Sequence, residues 1–167
     1  MRRILGWFLA LALAVGLGLF TREYVFTLTR VAGDSMEGTL EMGDVVLVTR
    51  FDYLKNPPGR FDVVQVAFPG RDGKYLKRVI GLPGETVDII SGVVHINGIA
   101  LDEPYARLSQ DDIHAVLGAD AYFVLGDNRP ESYDSREEDM GAIGADAFLG
   151  RVRAVVWPLN RFQFGIK

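Results

Sequence analysis

Residues 92–101 read Gly-Val-Val-His-Ile-Asn-Gly-Ile-Ala-Leu, with an Asn-Gly pair between two apolar arms. Asn and Gly both tolerate the positive φ angles of a two-residue turn, so this pair is the strongest short signal for a β-hairpin. The stretch therefore predicts two antiparallel strands that turn at Asn97 and Gly98.

Short runs of β-branched residues lie on both sides of this hairpin, separated by Gly, Pro and Asp. They are residues 45–48, 62–66, 86–90, 122–125 and 150–156. Helical periodicity is almost absent, and only residues 110–117 form a modest helix candidate. Residues 56–59 and 69–73 combine Pro, Gly and polar side chains, which is typical of loops. The pattern predicts a mainly β fold, with antiparallel sheets in one domain.

The length and charge of the chain limit the classes of function. A chain of 167 residues supports one domain with a real core. The formal net charge of −4 and the scattered Lys and Arg argue against a nucleic-acid surface. No cysteine is present, so disulfides and thiol catalysis are excluded.

Residues 4–20 form an uncharged apolar run of 17 residues that follows Arg2 and Arg3. As a helix this run spans about 26 Å, near the lower limit for a bilayer core. Positive charge stays in the cytoplasm, so we expect a single-pass protein of the cell membrane. We predict a cytoplasmic stub at 1–3, a transmembrane anchor at 4–20, a juxtamembrane linker at 21–30 and an extracytoplasmic domain at 31–167.

A cleavable secretory signal has a similar basic start and apolar middle. Here the small residues Ala10, Ala12 and Ala14 lie inside the apolar run rather than after it, which favours a retained anchor. A buried core helix is a third reading, and the leading arginines speak against it.

Two histidines, His95 and His114, lie far apart in sequence and do not resemble a set of metal ligands. The remaining candidate is a serine nucleophile with a base other than histidine. Ser35 lies in a glycine-flanked turn, and Lys77 lies between apolar strand residues, where burial would lower its pKa. The alternatives are an ordinary turn serine and a lysine whose amine reaches water.

Residues 126–136 read Gly-Asp-Asn-Arg-Pro-Glu-Ser-Tyr-Asp-Ser-Arg, set between apolar stretches. A solvated surface loop has this kind of composition. The same run of acids, arginines and serine hydroxyls also suits a rigid support behind a reactive side chain.

Three segments in this order, behind an amino-terminal anchor, resemble the bacterial type I signal peptidases, membrane-anchored serine proteases with a Ser-Lys dyad. Residues 35–40 are similar to the family's serine box, residues 75–85 to its lysine box and residues 126–136 to its Gly-Asp-Asn-Arg box. The resemblance covers most of the chain. It implies a membrane-bound endopeptidase that removes signal peptides from exported preproteins.

The resemblance also assigns roles to individual residues. Ser35 is implied as the nucleophile, with its backbone N–H stabilising the oxyanion, and Lys77 as the general base. Ser132 is implied to orient the Lys77 amine. Met36 and Tyr75 are expected in the wall of the substrate pocket. The implied structural support consists of Arg78, Asp127, Asp134 and Arg136.

Two positions depart from the family pattern. Gly38 stands where the family usually has proline, and we expect a looser turn with no loss of a chemical group. Gly33 stands where some members carry a hydroxyl that donates to the oxyanion, so the Ser35 N–H must carry more of that role.

The implied partners are secretory preproteins with small residues before the cleavage site and the membrane lipid, with no cofactor, metal or nucleic acid. Two alternatives remain: a Ser-Lys peptidase that matures one pilus or conjugation protein, and a membrane-tethered β domain that binds peptides. A self-cleaving regulator with the same dyad is disfavoured, because the first thirty residues leave no room for a DNA-binding module.

Overall fold

The computed structural model describes residues 6–8, 11–16, 18, 25–54 and 56–166. Residues 6–8, 11–16 and 18 are helical. Among the described residues, no helix is both long enough and apolar enough to cross a membrane. The expected stub at 1–3 and parts of the expected anchor and linker lie outside the described residues.

Twelve strands are the main regular elements of the described chain. They are β1 (Phe26–Arg30), β2 (Val45–Thr49), β3 (Val63–Val66), β4 (Tyr75–Gly81), β5 (Thr86–Ile90), β6 (Val93–Ile96), β7 (Ile99–Ala100), β8 (Ile113–Val116), β9 (Ala121–Leu125), β10 (Ile143–Gly144), β11 (Phe148–Trp157) and β12 (Gln163–Phe164). Short 3-10 helices occupy Phe51–Leu54, Arg129–Glu131, Ala145–Ala147 and Leu159–Arg161.

The strands form two antiparallel sheets, which confirms the predicted mainly β fold. The large sheet has the order β1-β2-β11-β3-β4-β9-β10, with β12 also paired to β11. The small sheet has the order β7-β6-β5-β8 and contains the predicted hairpin. Asn97 and Gly98 both have positive φ, at 51° and 81°, as the Asn-Gly turn requires.

The central strands of the large sheet are buried on both faces. Val63 of β3 packs in one apolar cluster, while Val64 and Val66 pack in another on the opposite face. A third cluster joins the small sheet to the large one through Ile80 and Phe123. Packed against β3, strand β4 is a rigid carrier for Lys77 and Arg78.

The predicted helix at residues 110–117 is wrong, because residues 113–116 form strand β8, which pairs with β5. The side chains of Asp111 and Asp112 accept hydrogen bonds from Ser109 and from the Ser91 N–H. These contacts and the alternating burial of β8 outweigh a weak helical pattern.

The second half of the expected linker, residues 26–30, forms regular secondary structure instead. Phe26–Arg30 is strand β1, which pairs along its whole length with β2. Its alternating Phe, Thr and Leu residues fit a strand at the edge of a sheet. The domain therefore begins earlier than residue 31.

One face of this edge is apolar and exposed. Leu28 lies opposite Leu47, Leu47 opposite Ala154, and Ala154 opposite Phe164, so these residues form a row across β1, β2, β11 and β12. The exposed members of this face are Phe26, Leu28, Trp157 and Phe164, which are 40%, 60%, 57% and 73% exposed. We call these four residues the apolar edge face.

Candidate active site

The loop that carries Ser35 follows β1 and is fixed by two buried side chains. Met36 and Leu40 are almost fully buried in the core cluster of the large sheet. The Glu37 N–H donates to the Asp34 carbonyl at 3.0 Å, and the Leu40 N–H donates to the Met36 carbonyl at 2.8 Å. Ser35 itself is partly exposed, so its hydroxyl can meet a substrate.

Gly38 in this loop has a φ of 96°, and its N–H donates to Glu41 Oε1 at 3.4 Å. Proline holds φ near −65°, so it cannot adopt this conformation. The expected difference between Gly38 and the family's proline is therefore one of backbone conformation as well as of stiffness.

Strand β4 carries Lys77 into the interior, where its side chain is only 2% exposed. Lys77 Nζ donates a hydrogen bond to Ser132 Oγ at 3.1 Å. Burial lowers the pKa of Lys77 to about 8, the carboxylates of Asp134 and Asp127 oppose this shift, and the Arg136 guanidinium adds to it. A substantial share of the amine is therefore neutral near physiological pH.

The hydroxyl of Ser132 has a fixed direction. It donates to Asp134 Oδ2 at 2.6 Å, and the same carboxylate oxygen accepts the Gly126 N–H at 2.9 Å. Because its only proton is used on Asp134, Ser132 must accept from Lys77. A neutral Lys77 amine therefore gives an N–H to Ser132 and keeps its lone pair for another partner.

Arg78, the neighbour of Lys77, lies in a buried ion pair with Asp127 at 2.6 and 2.8 Å. Thr39 from the serine loop joins this pair, since its hydroxyl donates to Asp127 Oδ2 at 2.5 Å and accepts from Arg78 at 3.2 Å. The Arg78 guanidinium also lies 3.9 Å from the centre of the Tyr105 ring. Such a two-pronged pair fixes the serine loop against β4.

A second set of ions supports the loop that contains Ser132. Arg136 binds Asp134 through Nε at 2.8 Å and donates to the carbonyls of Arg129 and Ser132. Arg129 forms a buried pair with Glu103 at 2.6 Å. The predicted support residues thus all take part in buried ionic contacts.

Gly126 marks the point where the three segments meet. A Cβ at this position would overlap Ser132 Oγ and the carbonyl oxygen of Ser35, so only glycine fits. The serine loop, the lysine strand and the Gly-Asp-Asn-Arg loop therefore come together at one place. Within the described residues, no hydrogen bond joins Ser35 to Lys77, and such contacts in free enzymes often close only when substrate binds.

A cleft of about 250 Å³ lies beside Ser35. Met36 and Tyr75 both line it, together with residues 30–33 and Leu76. The cleft lies between the chain that leaves β1 and the start of β4. An extended peptide could lie along these segments, with side chains directed into the cleft.

Sequence reasoning missed several residues of the site. Thr39, Glu103, Tyr105, Asn128 and Arg129 all contact the ionic network or the serine loop. Arg129 and Asn128 belong to the polar run that drew attention, and their burial was the missing information. Thr39 lies in the segment that resembles the serine box, but its role and that of Tyr105 could not be predicted, because their partners lie far away in sequence.

The two histidines are closer than their sequence separation suggests. Both lie directly opposite Asp88 on neighbouring strands of the small sheet, and His114 Nδ1 contacts Asp88 Oδ1 at 2.6 Å. Among the described residues, no group of three His, Cys, Asp or Glu side chains is arranged to hold a metal ion. This cluster lies away from the serine loop, on the exposed face of the other sheet.

A family model described as signal peptidase, peptidase S26, matches residues 4–157. The chain belongs to this family. It is therefore a serine endopeptidase of the signal peptidase I class. A signal peptidase I from Leptolyngbya laminosa is 37% identical over 90% of this chain and 78% of the relative. One from Bacillus caldolyticus is 35% identical over 95% of this chain and 92% of the relative.

A solved structure of a signal peptidase I from Enterococcus faecalis V583 is also similar. Its sequence is 32% identical, and the match covers 57% of this chain and 97% of the solved chain with a TM-score of 0.52. This likeness agrees with the antiparallel β architecture.

Proposed function

We propose that this enzyme removes amino-terminal signal peptides from exported preproteins through a Ser35–Lys77 dyad. The observation that carries the proposal is the buried Lys77 amine, held by Ser132 beside the serine loop. A charged amine would be stable in water, whereas this one loses its proton at a pKa of about 8. Ser132 and the Ser35 carbonyl both lie close to Gly126, which supports the placement of the amine beside the serine loop.

In the first step, neutral Lys77 takes the proton of the Ser35 hydroxyl while Ser35 Oγ attacks the scissile carbonyl carbon. The resulting oxyanion accepts a hydrogen bond from the Ser35 N–H. When the C–N bond breaks, Lys77 returns the proton to the leaving amine of the mature protein. The signal peptide stays on Ser35 as an ester.

In the second step, Lys77 takes a proton from water, and the hydroxide attacks the ester carbonyl. Collapse of this intermediate releases the signal peptide with a new carboxyl end and returns the proton to Ser35. Ser132 keeps the amine directed throughout, since it can only accept from Lys77.

The substrate class follows from the cleft beside Ser35. Several peptide residues would have to fit in its volume of about 250 Å³, which favours small side chains near the cleaved bond. We expect small residues one and three positions before the cleaved bond, with Met36 and Tyr75 in the pocket walls.

The proposed location is the cell membrane, with the amino terminus in the cytoplasm and the catalytic domain outside. The apolar edge face supports this location, because exposed apolar patches of this kind mark surfaces that meet lipid or protein. The face begins directly after the proposed anchor at residues 4–20. Anchor and face together would hold the cleft at the depth where a signal peptide leaves the bilayer.

The direct test is incubation of the purified full-length protein, in detergent, with a preprotein that carries an Ala-x-Ala site. We expect cleavage after the second alanine by the wild type and none by Ser35→Ala. Cleavage by Ser35→Ala, or an intact preprotein with the wild type, would refute the dyad or the substrate class respectively.

The location has its own test, because Trp7 and Trp157 are the only tryptophans. In a Trp7→Phe variant, fluorescence reports on Trp157 alone. We expect lipids brominated near the headgroup to quench it when the protein is reconstituted in vesicles. Unquenched Trp157 in vesicle-bound protein would show that the apolar edge face does not touch lipid.

A further inference from the structure

Asn128 is buried behind the serine loop, with only 1% of its surface exposed. Its backbone N–H donates to the Ser35 carbonyl at 3.0 Å. Its side-chain Nδ2 donates to the Asp34 carbonyl at 3.2 Å and to Glu37 Oε2 at 3.1 Å. One residue therefore binds three residues of the loop that carries the nucleophile, Asp34, Ser35 and Glu37.

The orientation of this amide is chemically determined. A carbonyl and a carboxylate can only accept, so the atom that faces Asp34 and Glu37 must be the donor Nδ2. Within the described residues, Oδ1 of Asn128 is buried and accepts no hydrogen bond. All side-chain hydrogen bonds of Asn128 in that part of the chain therefore act on the serine loop.

The hydrogen bond from Asn128 to the Asp34 carbonyl also affects the neighbouring Ser35 N–H. The Asp34 carbonyl and the Ser35 N–H belong to the same planar peptide unit and point in opposite directions. A bond that fixes the carbonyl therefore fixes the direction of the N–H. In the described part of the chain, the Ser35 N–H donates no hydrogen bond, so it is available to a substrate.

We propose that Asn128 is a positioning residue that aims the Ser35 N–H at the oxyanion of the transition state. This inference rests on the proposed function, because it takes Ser35 as the nucleophile. Asn128 acts on the side of the peptide unit that faces away from the substrate. Without its Nδ2, the one partner that the Asp34 carbonyl keeps among the described residues is the Glu37 N–H, and the unit can rotate.

Two features of this chain increase the need for such a contact. Gly33 has no side chain that could donate to the oxyanion, so the Ser35 N–H has no helper from that position. Gly38 gives the far side of the loop a flexible residue with positive φ. Asn128 supplies from the buried side the restraint that the loop sequence lacks.

The test compares wild type, Asn128→Ala and Asn128→Asp, with Asn160→Ala as a control because Asn160 is exposed and lies outside the serine loop. For the two Asn128 variants we expect kcat to fall about 10- to 100-fold, with KM within about twofold, since a lost oxyanion donor costs about 10²- to 10³-fold. Asn128→Asp keeps the shape of the side chain but turns an oxygen toward the Asp34 carbonyl. It must lose at least as much as Asn128→Ala.

A second measurement separates a positioning role from a purely structural one. A peptide aldehyde forms a tetrahedral adduct with Ser35, whereas the matching cleaved peptide binds without covalent change. We expect Asn128→Ala to weaken the aldehyde by the same factor as kcat and to leave the affinity of the cleaved peptide within about twofold. Each dissociation constant is measured only on molecules that bind. The ratio of the aldehyde affinity to the cleaved-peptide affinity therefore does not depend on the fraction of the protein that folds.

An unchanged kcat and aldehyde affinity in Asn128→Ala would overturn the inference while the proposed function stands. Equal weakening of the aldehyde and of the cleaved peptide would also overturn it, since the residue would then shape the cleft rather than the oxyanion site. Failure of the proposed function is visible separately, as cleavage by the Ser35→Ala variant assayed in parallel.

Discussion

The buried cluster around Lys77 and the exposed cluster around His114 contain similar ingredients but differ in their surroundings. Both place a nitrogen base near an aspartate, on strands of antiparallel sheets. Lys77 is 2% exposed and loses its proton at a pKa of about 8, whereas the His114 side chain is 68% exposed beside Asp88. Burial and a fixed hydroxyl neighbour, rather than the type of base, therefore distinguish the cluster that can do chemistry.

The largest difference between the clusters should appear when each base is removed. We expect Lys77→Met to lower preprotein cleavage by about 10³-fold or more, because the nucleophile then has no base. His114→Ala should stay within about twofold of wild type. Both rates are measured on purified protein with the same preprotein. A strong loss in His114→Ala would erase the distinction between the two clusters.

The next difference concerns the hydroxyl neighbours. Ser132→Ala removes the acceptor that directs the Lys77 amine, so we expect a fall in kcat of about 10- to 100-fold in a protein that remains folded. Ser91, which lies on the exposed face near His114, serves as the control, and Ser91→Ala should cleave normally. An unchanged kcat in Ser132→Ala would remove its orienting role.

The rate should also depend on pH in a way that only the buried cluster explains. Because the neutral amine is the active form in the proposed mechanism, kcat/KM should rise about tenfold per pH unit below pH 8 and level off above it. The same profile is expected for His114→Ala. A rise that is lost in His114→Ala would show that the base lies in the exposed cluster instead.

Stability should follow the same ionisation. The pKa of Lys77 is lower in the folded state than in the unfolded chain, so the folded state binds fewer protons between pH 8 and about 10.4. Across this window, the free energy of unfolding of wild type should rise by about 3 kcal/mol relative to Lys77→Met. Below pH 8 the difference should be constant. Urea unfolding of both proteins at several pH values measures it, and a flat difference across the window contradicts burial of the amine.

The smallest effect should come from the exposed pair. Asp88→Asn removes its charge, and a surface pair of this kind contributes about 0 to 1 kcal/mol. We expect a change in the free energy of unfolding within this range, reduced further by salt. A larger loss would show that the small sheet depends on this contact.

Much of the fold was predictable because its signals are local. The Asn97-Gly98 turn and the β-branched runs of β2, β3, β5, β9 and β11 depend on neighbouring residues, and the structure confirms them. The short strand β8 was not predictable, because its pairing with β5 comes from residues far away in sequence. Strand β1 was assigned to the linker although its alternating residues carry a local signal, and its pairing with β2 shows that it belongs to the large sheet.

The candidate site divides in the same way. Ser35, Lys77 and the polar run at residues 126–136 stood out by composition and by resemblance to a family. The contributions of Thr39, Tyr105 and Asn128 did not, because a contact with a partner many residues away leaves no mark in the local sequence. The sequence also did not predict that both histidines lie opposite Asp88, because this arrangement depends on strand pairing.

The proton equilibrium of Lys77 can be measured directly. In protein labelled with ¹³C at lysine Cε, the Lys77 signal is assigned by its absence in Lys77→Met and followed from pH 6 to pH 11. The account predicts a midpoint near pH 8 for this signal. A Lys77 midpoint near the ordinary lysine value of about 10.4 would contradict it, because the amine would then be charged when Ser35 must be deprotonated.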